Sequence, residues 1–339
     1  RSTLFPYTTL FRSASIVADM PFPATLNSGV FVIRTKSSFI MQKGLSLAFI
    51  SPYFLDFITK LTAGSTIVHL YQKDIVDYKF PLPQKTAEQE RIVDALFDVD
   101  KLISSLSKII EKKRLIKQGA MQQLLTGKKR LPGFDGEWVE YRVADVVNRF
   151  ATGLNPRQNF ILNSSGSNNY YVTIKNFREG HLYLDDNCDR VNDSAIELIN
   201  RRSDLRSGDV LMSSIGRIGD AYVIRSNPKN WNINESVFSL RPDYGKITSL
   251  FLYYIIKGDS MQEQMKGGST GSTLTSIKMS HLKELMCYIP TSIEEQSAIT
   301  NILSTMDNEI ESLEDERDKY IRLKEGMMQK LLTGQIRLL

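Results

Sequence analysis

From Glu88 onward the apolar residues fall alternately four and three positions apart: Ile92, Leu96, Val99, Ile103, Leu106 and Ile110. A second run, Ile299, Leu303, Met306, Ile310 and Leu313, keeps the same rhythm until Arg317 interrupts it. This alternation predicts two long helices, each with a narrow apolar seam on one face. Thr86 and Ser292 stand before them as candidate N-caps, each with a carboxylate downstream. Gly127 and Gly334, each after Leu-Leu-Thr, are the predicted stops. A helix of about 39 residues at 1.5 Å per residue makes a rod of roughly 58 Å.

Between the two runs the pattern changes. FDGEWVEYRVADVV predicts a polar lead into an amphipathic helix containing Val143, Val146 and Val147. NYYVTIKNFREGHLYLDD alternates strand-like segments around a turn at Arg178-Glu179-Gly180, and SGDVLMSSIGRIGDAYVIRS predicts two strands joined by a Ser/Gly-rich turn. NESVFSLRP is another strand, SLFLYYIIKGDSMQEQMK a helix, and HLKELMCYIP a short helix followed by a strand. Residues 134–288 therefore predict a mixed α/β (α+β) module rather than a doubly wound one.

The chain is also internally repeated. GAMQQLLTGKKRL at 119–131 and GMMQKLLTGQIRL at 326–338 agree at nine of thirteen positions, 207 residues apart. The same offset aligns EQERIVDALFDVDKLISSLSKI with EQSAITNILSTMDNEIESLEDE, Pro83 with Pro290, Gly64-Ser65-Thr66 with Gly271-Ser272-Thr273, and NSGVFVIR with NESVFSLR. Residues 14–131 are one copy and 221–338 the other. Residues 134–220 have no counterpart, so the chain reads as two copies of which the first lacks its front. RSTLFPYTTLFRS, residues 1–13, fits neither the repeat nor a core pattern and reads as a non-native or disordered leader.

Charge decides what the seams face. Residues 101–131 carry nine Lys or Arg against Glu111 alone, whereas 307–325 carry eight acidic residues against four basic ones. Helices of opposite charge pair with each other more readily than with themselves, which predicts an intramolecular antiparallel pair. Past Ile110 the apolar seam fades into Lys113 and Lys117, whose counterparts are Tyr320 and Lys324. That end is open to splaying towards another subunit, with Leu124, Leu125, Leu331 and Leu332 as anchors.

Composition narrows the function. No apolar run is long enough to span a bilayer, and no basic stretch followed by an apolar run marks a secretory signal. Two cysteines, Cys188 and Cys287, make neither a disulfide framework nor a metal knuckle, which favours a reducing cytoplasm. GRIG at 216–219 lacks the third glycine of a dinucleotide loop, and GSTGST lacks the lysine of a phosphate-binding one. His69, His181 and His281 stand apart without metal-ligand spacing, and Asp185-Asp186 reads as a solvated strand end. No catalytic or metal constellation emerges.

A net charge of +5 mildly favours a polyanionic partner, and three polar clusters supply the chemistry for one. They are Lys175, Asn176 and Arg178; Ser213, Ser214 and Arg217; and Lys266, Ser269, Thr270, Ser272 and Thr273. Arg and Asn can grip purine edges in bidentate fashion, while Ser, Thr and Lys mainly hold phosphates.

PLPQKTAEQERIVDALFDVDKLI, its partner YIPTSIEEQSAITNILSTMDNEI, the two LLTG endings and SGDVLMSSIGRIG together resemble the specificity subunits of type I restriction-modification systems. The resemblance covers residues 14–339. It implies α/β (mixed α+β) target-recognition domains joined by a long antiparallel two-helix coiled-coil spacer. On that scheme residues 14–85 are a partial first recognition domain, 86–131 the first spacer helix, 132–291 the second recognition domain and 292–339 the second spacer helix. Ile92, Leu96, Val99, Ile103, Leu106, Ile299, Leu303, Met306, Ile310 and Leu313 inherit the spacer role.

The resemblance further implies a non-catalytic, cytoplasmic subunit that binds double-stranded DNA. It bridges two methyltransferase subunits carrying S-adenosylmethionine, and is joined by motor-nuclease subunits using ATP and Mg2+; this chain itself binds no cofactor. The competing expectation is an inactive or silent gene fragment acting at most as a protein-interaction scaffold.

Overall fold

A computed structural model describes residues 25, 30, 32–35, 40, 42–61, 71–157, 159–178, 180–267 and 276–338. In chain order the first elements are helices α1 (Gln42–Ala48), α2 (Pro52–Leu61), α3 (Gln72–Ile75) and the long α4 (Thr86–Leu124). There follow β1 (Trp138–Arg142), α5 (Val143–Val146), β2 (Val147–Thr152), β3 (Asn169–Val172), a 3-10 turn (Ile174–Asn176), β4 (Phe177–Arg178), β5 (His181–Leu182) and β6 (Asp189–Val191). Then come α6 (Asp193–Ser203), β7 (Val210–Ser213), β8 (Ala221–Val223), β9 (Trp231–Ile233) and β10 (Val237–Pro242). The chain closes with α7 (Ser249–Lys257), α8 (Asp259–Gly267), α9 (Met279–Glu284), β11 (Met286–Pro290) and the long α10 (Ile293–Leu331).

The chain divides into two compact units, Lys113–Glu309 and a second made of Arg1–Lys112 with Ile310–Leu339. Each unit thus takes part of both long helices, whereas the sequence scheme assigned whole helices to segments of their own.

The Lys113–Glu309 unit is layered about a four-stranded antiparallel sheet in the order β2-β10-β7-β8. Its two inner strands are buried on both faces, and successive side chains go to opposite sides. Val210, Met212, Phe238 and Leu240 enter the core shared with α7, whereas Leu211 and Val237 enter a second core with Val172, Phe177, Ile224 and Ile233. That second core carries a three-stranded sheet, β6-β3-β9, in which β3 and β9 run parallel.

Three sequence expectations are corrected here. The segment before Val143 is a strand, β1, held antiparallel to β11, and the helix it enters is one turn long, because Val147 already begins β2. The single helix expected over 249–266 is two: Gly258 takes an extended conformation, and its N–H donates to the carbonyl of Ile255. Phe251 to Ile256 are all buried, so α7 is a core helix along this stretch, with Leu250 exposed at its start.

In the other unit Leu47, Ile92, Val93 and Leu96 pack with Met328 and Leu331, so the start of α4 lies against the end of α10. Ala48, Phe49, Phe54, Ile58 and Tyr78 form an adjoining core, where Tyr78 Oη donates to the Ala48 carbonyl at 2.7 Å. The 207-residue offset is visible as structure, with α1, α2 and α3 at the counterpart positions of α7, α8 and α9. Residues 79–83, the counterparts of β11, form no strand. β11 itself is held by its antiparallel pairing with β1.

The rod residues behave as the heptad required. Ile92, Leu96, Leu106, Ile110, Ile299, Leu303 and Ile310 are buried, while Val99, Ile103, Met306 and Leu313 are half-buried. In the Lys113–Glu309 unit, Leu124 and Leu125 at the end of α4 share a core with Ile299 and Leu303 at the start of α10, so here too the helices run antiparallel. This overturns the splayed end. Leu124, Leu125 and Leu331 are buried in their own cores, Leu332 packs against one, and none is an exposed anchor.

The caps are half as expected. Ser292 Oγ accepts the N–H of Glu295 at 3.1 Å. Thr86, by contrast, is already helical, and the cap position is Lys85, whose carbonyl accepts the N–H groups of Glu88 and Gln89. Gly127 and Gly334 take φ of +68° and +73° past the helix ends, the left-handed conformation that favours glycine.

The two units repeat one set of polar contacts. Arg337 binds Glu88 through Nε and Nη2, and Arg130 binds Glu295 through the same two nitrogens. Gln89 donates to the Pro83 carbonyl at 2.8 Å and Gln296 to that of Pro290 at 3.0 Å. Lys129 N–H reaches the Gln123 carbonyl, and Ile336 N–H that of Lys330. Every pair maps onto its fellow by the offset of 207.

Leu303→Ala, at a site with no solvent exposure, is expected to cost about 2–5 kcal/mol of unfolding free energy in urea; a loss below about 1 kcal/mol contradicts the packing. The Arg337 guanidinium holds the Glu88 carboxyl below its ordinary value of 4.5. A carboxyl depressed on folding contributes stability that is full above the ordinary value and is lost as pH falls through the folded one. Arg337→Gln should therefore lower Tm at pH 7, with the difference from wild type shrinking below about pH 4.5; a difference constant with pH refutes the assignment.

Candidate nucleic-acid interface

The polar clusters come from distant parts of the chain, and the fold brings the first two, and the described residues flanking the third, to one turn. Arg217, in the β7–β8 turn, donates from Nη2 to the Phe177 carbonyl at 2.8 Å, which ties this turn to the segment bearing Lys175 and Arg178. Ile215 bridges Ser276, and the Ile277 N–H donates to the Ser214 carbonyl at 2.9 Å, so the chain returning from the third cluster lies on the same turn. A Cβ on Gly219, which has φ +83°, would fall 2.1 Å from Gln262 Nε2 of α8. The left-handed backbone there favours glycine, and the turn lies against α8, the helix that bears Lys266.

Within this frame the candidate residues separate into two groups. Ser213 and Ser214 are buried. Ser213 Oγ donates to the Arg217 carbonyl and accepts the Asp220 N–H, while Ser214 Oγ donates to the Ser236 carbonyl at 2.8 Å. Asn176 is likewise buried: its Oδ1 accepts from the N–H and hydroxyl of Thr173, and its Nδ2 donates to Cys188 Sγ at 2.8 Å. These three side chains hold the loops in shape and are buried away from a ligand.

Lys175, Arg217 and Lys266 are exposed. Arg217 is oriented by Asp220, whose Oδ2 lies 2.8 Å from Nε, with the arginine side chain still 66% exposed. Arg178 stands in β4 opposite His181. Ser269, Thr270, Ser272 and Thr273 lie outside the described residues, as does Glu179 of the predicted turn.

The Gly-Asp of SGDVL is structural. Gly208 has φ +89°, and a Cβ there would fall 2.1 Å from Tyr244 Oη. Asp209 is buried and receives Arg241 through Nε at 2.8 Å and Nη2 at 3.0 Å. The carboxylate raises the Arg241 pKa above its ordinary value, so the pair stays ionised and pins the start of β7 to β10.

Sequence reading missed Lys278, an exposed cation two residues beyond the Ile215–Ser276 bridge. It also missed Arg190, whose guanidinium stacks 3.7 Å from the centroid of the Tyr170 ring. The first sits just past a loop that was noticed, but the second needs the β3–β6 pairing to be seen. Asp185 and Asp186 are exposed, as expected of a solvated end. Burial pushes the Cys287 thiol up to about 12 and raises that of Cys188, so both stay protonated at neutral pH.

The arrangement defines a class of protein: a mixed α/β recognition module with a cationic loop cluster, built onto an antiparallel helix pair. The pattern of the family described as "Type I restriction modification DNA specificity domain" matches residues 7–114 and 135–321, most of the chain, and the protein belongs to that family. It is 24% identical to the type I restriction enzyme MjaVIII specificity subunit of Methanocaldococcus jannaschii over 83% of this chain and 67% of that one. It is also 24% identical to the EcoBI specificity subunit of Escherichia coli, over 93% of this chain and 69% of that one. Among solved structures, the type I restriction-modification S subunit from M. genitalium superposes with a TM-score of 0.56 at 16% identity, covering 87% of this chain and 73% of that one, and so shares its fold.

Arg217→Ala is expected to weaken DNA binding and lower the salt slope, d log K/d log[salt], by about one unit in magnitude. Ser214→Ala should leave the slope unchanged and cost about 0.5–1.5 kcal/mol of stability. An Arg217→Ala protein with wild-type affinity and slope would remove Arg217 from the interface.

Proposed function

We propose that this chain is the DNA-recognition subunit of a type I restriction-modification complex. It is non-catalytic and directs adenine methylation and ATP-dependent cleavage carried out by partner subunits. The observation that carries the reading is the meeting at the β7–β8 turn of the segment bearing Lys175 and Arg178 with the described residues Ser276 and Ile277, in a member of the DNA specificity family. Arg217 stands in a turn shaped by Gly216 and Gly219, Lys175 in the 3-10 turn and Lys266 near the end of α8, while buried serines brace the β7–β8 turn and the Asp209–Arg241 pair pins the start of β7. That division suits DNA, because phosphate contacts fix position while base contacts specify sequence.

On this reading two methyltransferase subunits flank the chain and carry S-adenosylmethionine. Motor-nuclease subunits bring ATP and Mg2+, and the assembly works in the cytoplasm, where its DNA is. Among the described residues no helix is long and apolar enough to cross a membrane.

The test is selection from randomised duplex DNA by the chain with its methyltransferase at fixed salt, followed by sequencing of the retained pool. Enrichment of a defined motif is expected. A pool indistinguishable from the input, under salt conditions that retain DNA, would contradict the proposal and favour a scaffold.

A further inference from the structure

Two lysines interrupt the seam where a coiled coil would place an apolar residue. Lys324 is buried, its side chain 3% exposed, with Nζ 2.6 Å from Asp100 Oδ1. Lys117, 14% exposed, pairs with Asp307, which also accepts the Tyr254 hydroxyl at 2.7 Å. The offset of 207 converts Asp100 into Asp307 and Lys117 into Lys324. They are therefore one ion pair used once in each unit, with the donor and acceptor helices exchanged.

An antiparallel pair of heptad seams is nearly indifferent to sliding by seven residues, since each apolar knob then meets another apolar hole. A buried ammonium is not indifferent, because losing its carboxylate leaves an uncompensated charge. Slid one heptad in one direction, Lys324 faces Val93 and Lys117 faces Thr300. In the other direction Lys117 meets Glu314, but Lys324 faces Ser107. Only the observed register pairs both lysines with carboxylates.

We propose that Asp100–Lys324 and Lys117–Asp307 are register keys: positioning residues that hold the helix pair in one alignment and so fix where the DNA-reading loops are presented. The link to DNA rests on the function proposed above; the claim about register stands apart from it. The keys explain why the apolar rhythm fades after Ile110, at Lys113 and Lys117, and why the fade recurs at Lys324. The neighbouring pair Lys113–Glu309 is more exposed and adds little selectivity.

The test places spin labels at Ser104→Cys on α4 and Lys319→Cys on α10, both exposed, in the full chain, whose own cysteines are buried. Pulsed electron resonance should give one narrow distance. With Lys117→Met and Lys324→Met added, the distribution should gain a second, longer population a few ångströms away, with helicity retained. The two labels stand level across the pair, so a slide of about 10 Å along the axis, the rise of one heptad, adds to their separation in quadrature. The charge exchange Asp100→Lys with Lys324→Asp should keep the single distance.

A lysine-free variant with the single original distance overturns the proposal, as does one that fails to fold, since the apolar replacement extends the seam. The same variants then enter DNA selection. Mixed registers should lower motif enrichment severalfold relative to the charge exchange. Absence of a motif even for the wild type would sink the DNA reading, with the register still decided by the distances.

Discussion

A 39-residue helix with a narrow apolar seam cannot bury that seam alone, and this requirement organises the molecule. The partner of each seam is the helix from the other copy of the repeat, running the opposite way. The start of α4 completes its core with the end of α10 in one unit, and the end of α4 does so with the start of α10 in the other. Duplication alone would yield two beads on a string; reciprocal burial makes each compact unit a joint product of both copies. The polar contacts obey the same logic, because each helix N-terminus offers a buried Glu, Glu88 or Glu295, to an Arg that follows the other helix.

On this base the recognition module separates support from contact. Its inner strands are covered on both faces, so they cannot read a ligand, but they set the turns between them. Buried hydroxyls and the Asp209–Arg241 pair lock those turns, and left-handed glycines let them lie against neighbouring helices. What remains exposed at the convergence is mainly cationic.

Much of this was legible in the sequence because the signals were periodic. The 3-4 seam, the offset of 207 and the strands over 210–213, 221–223 and 237–242 all survive in the structure. The break at Gly258 was hidden, because the apolar run before it continues a helical pattern without interruption. The parallel pairing of β3 with β9 was equally hidden, being set by burial between segments about sixty residues apart. In the site, Ser213, Ser214 and Asn176 looked ready for a ligand because short polar side chains in glycine-rich turns read alike whether they face solvent or the loop's own backbone. Lys117 and Lys324 showed only as a fading of the seam. Their meaning lay in Asp307 and Asp100 on the opposite helix, which no local window contains.

The measurement that bears most directly on the reciprocal helix pair is native-state hydrogen exchange of the full chain, resolved by peptide. If both copies build each unit, amides of residues 86–112 should open together with those of 310–331, and amides of 113–124 with those of 293–309. If α4 instead opens as one piece along its whole length, independently of α10, each helix belongs to its own copy and the account is wrong.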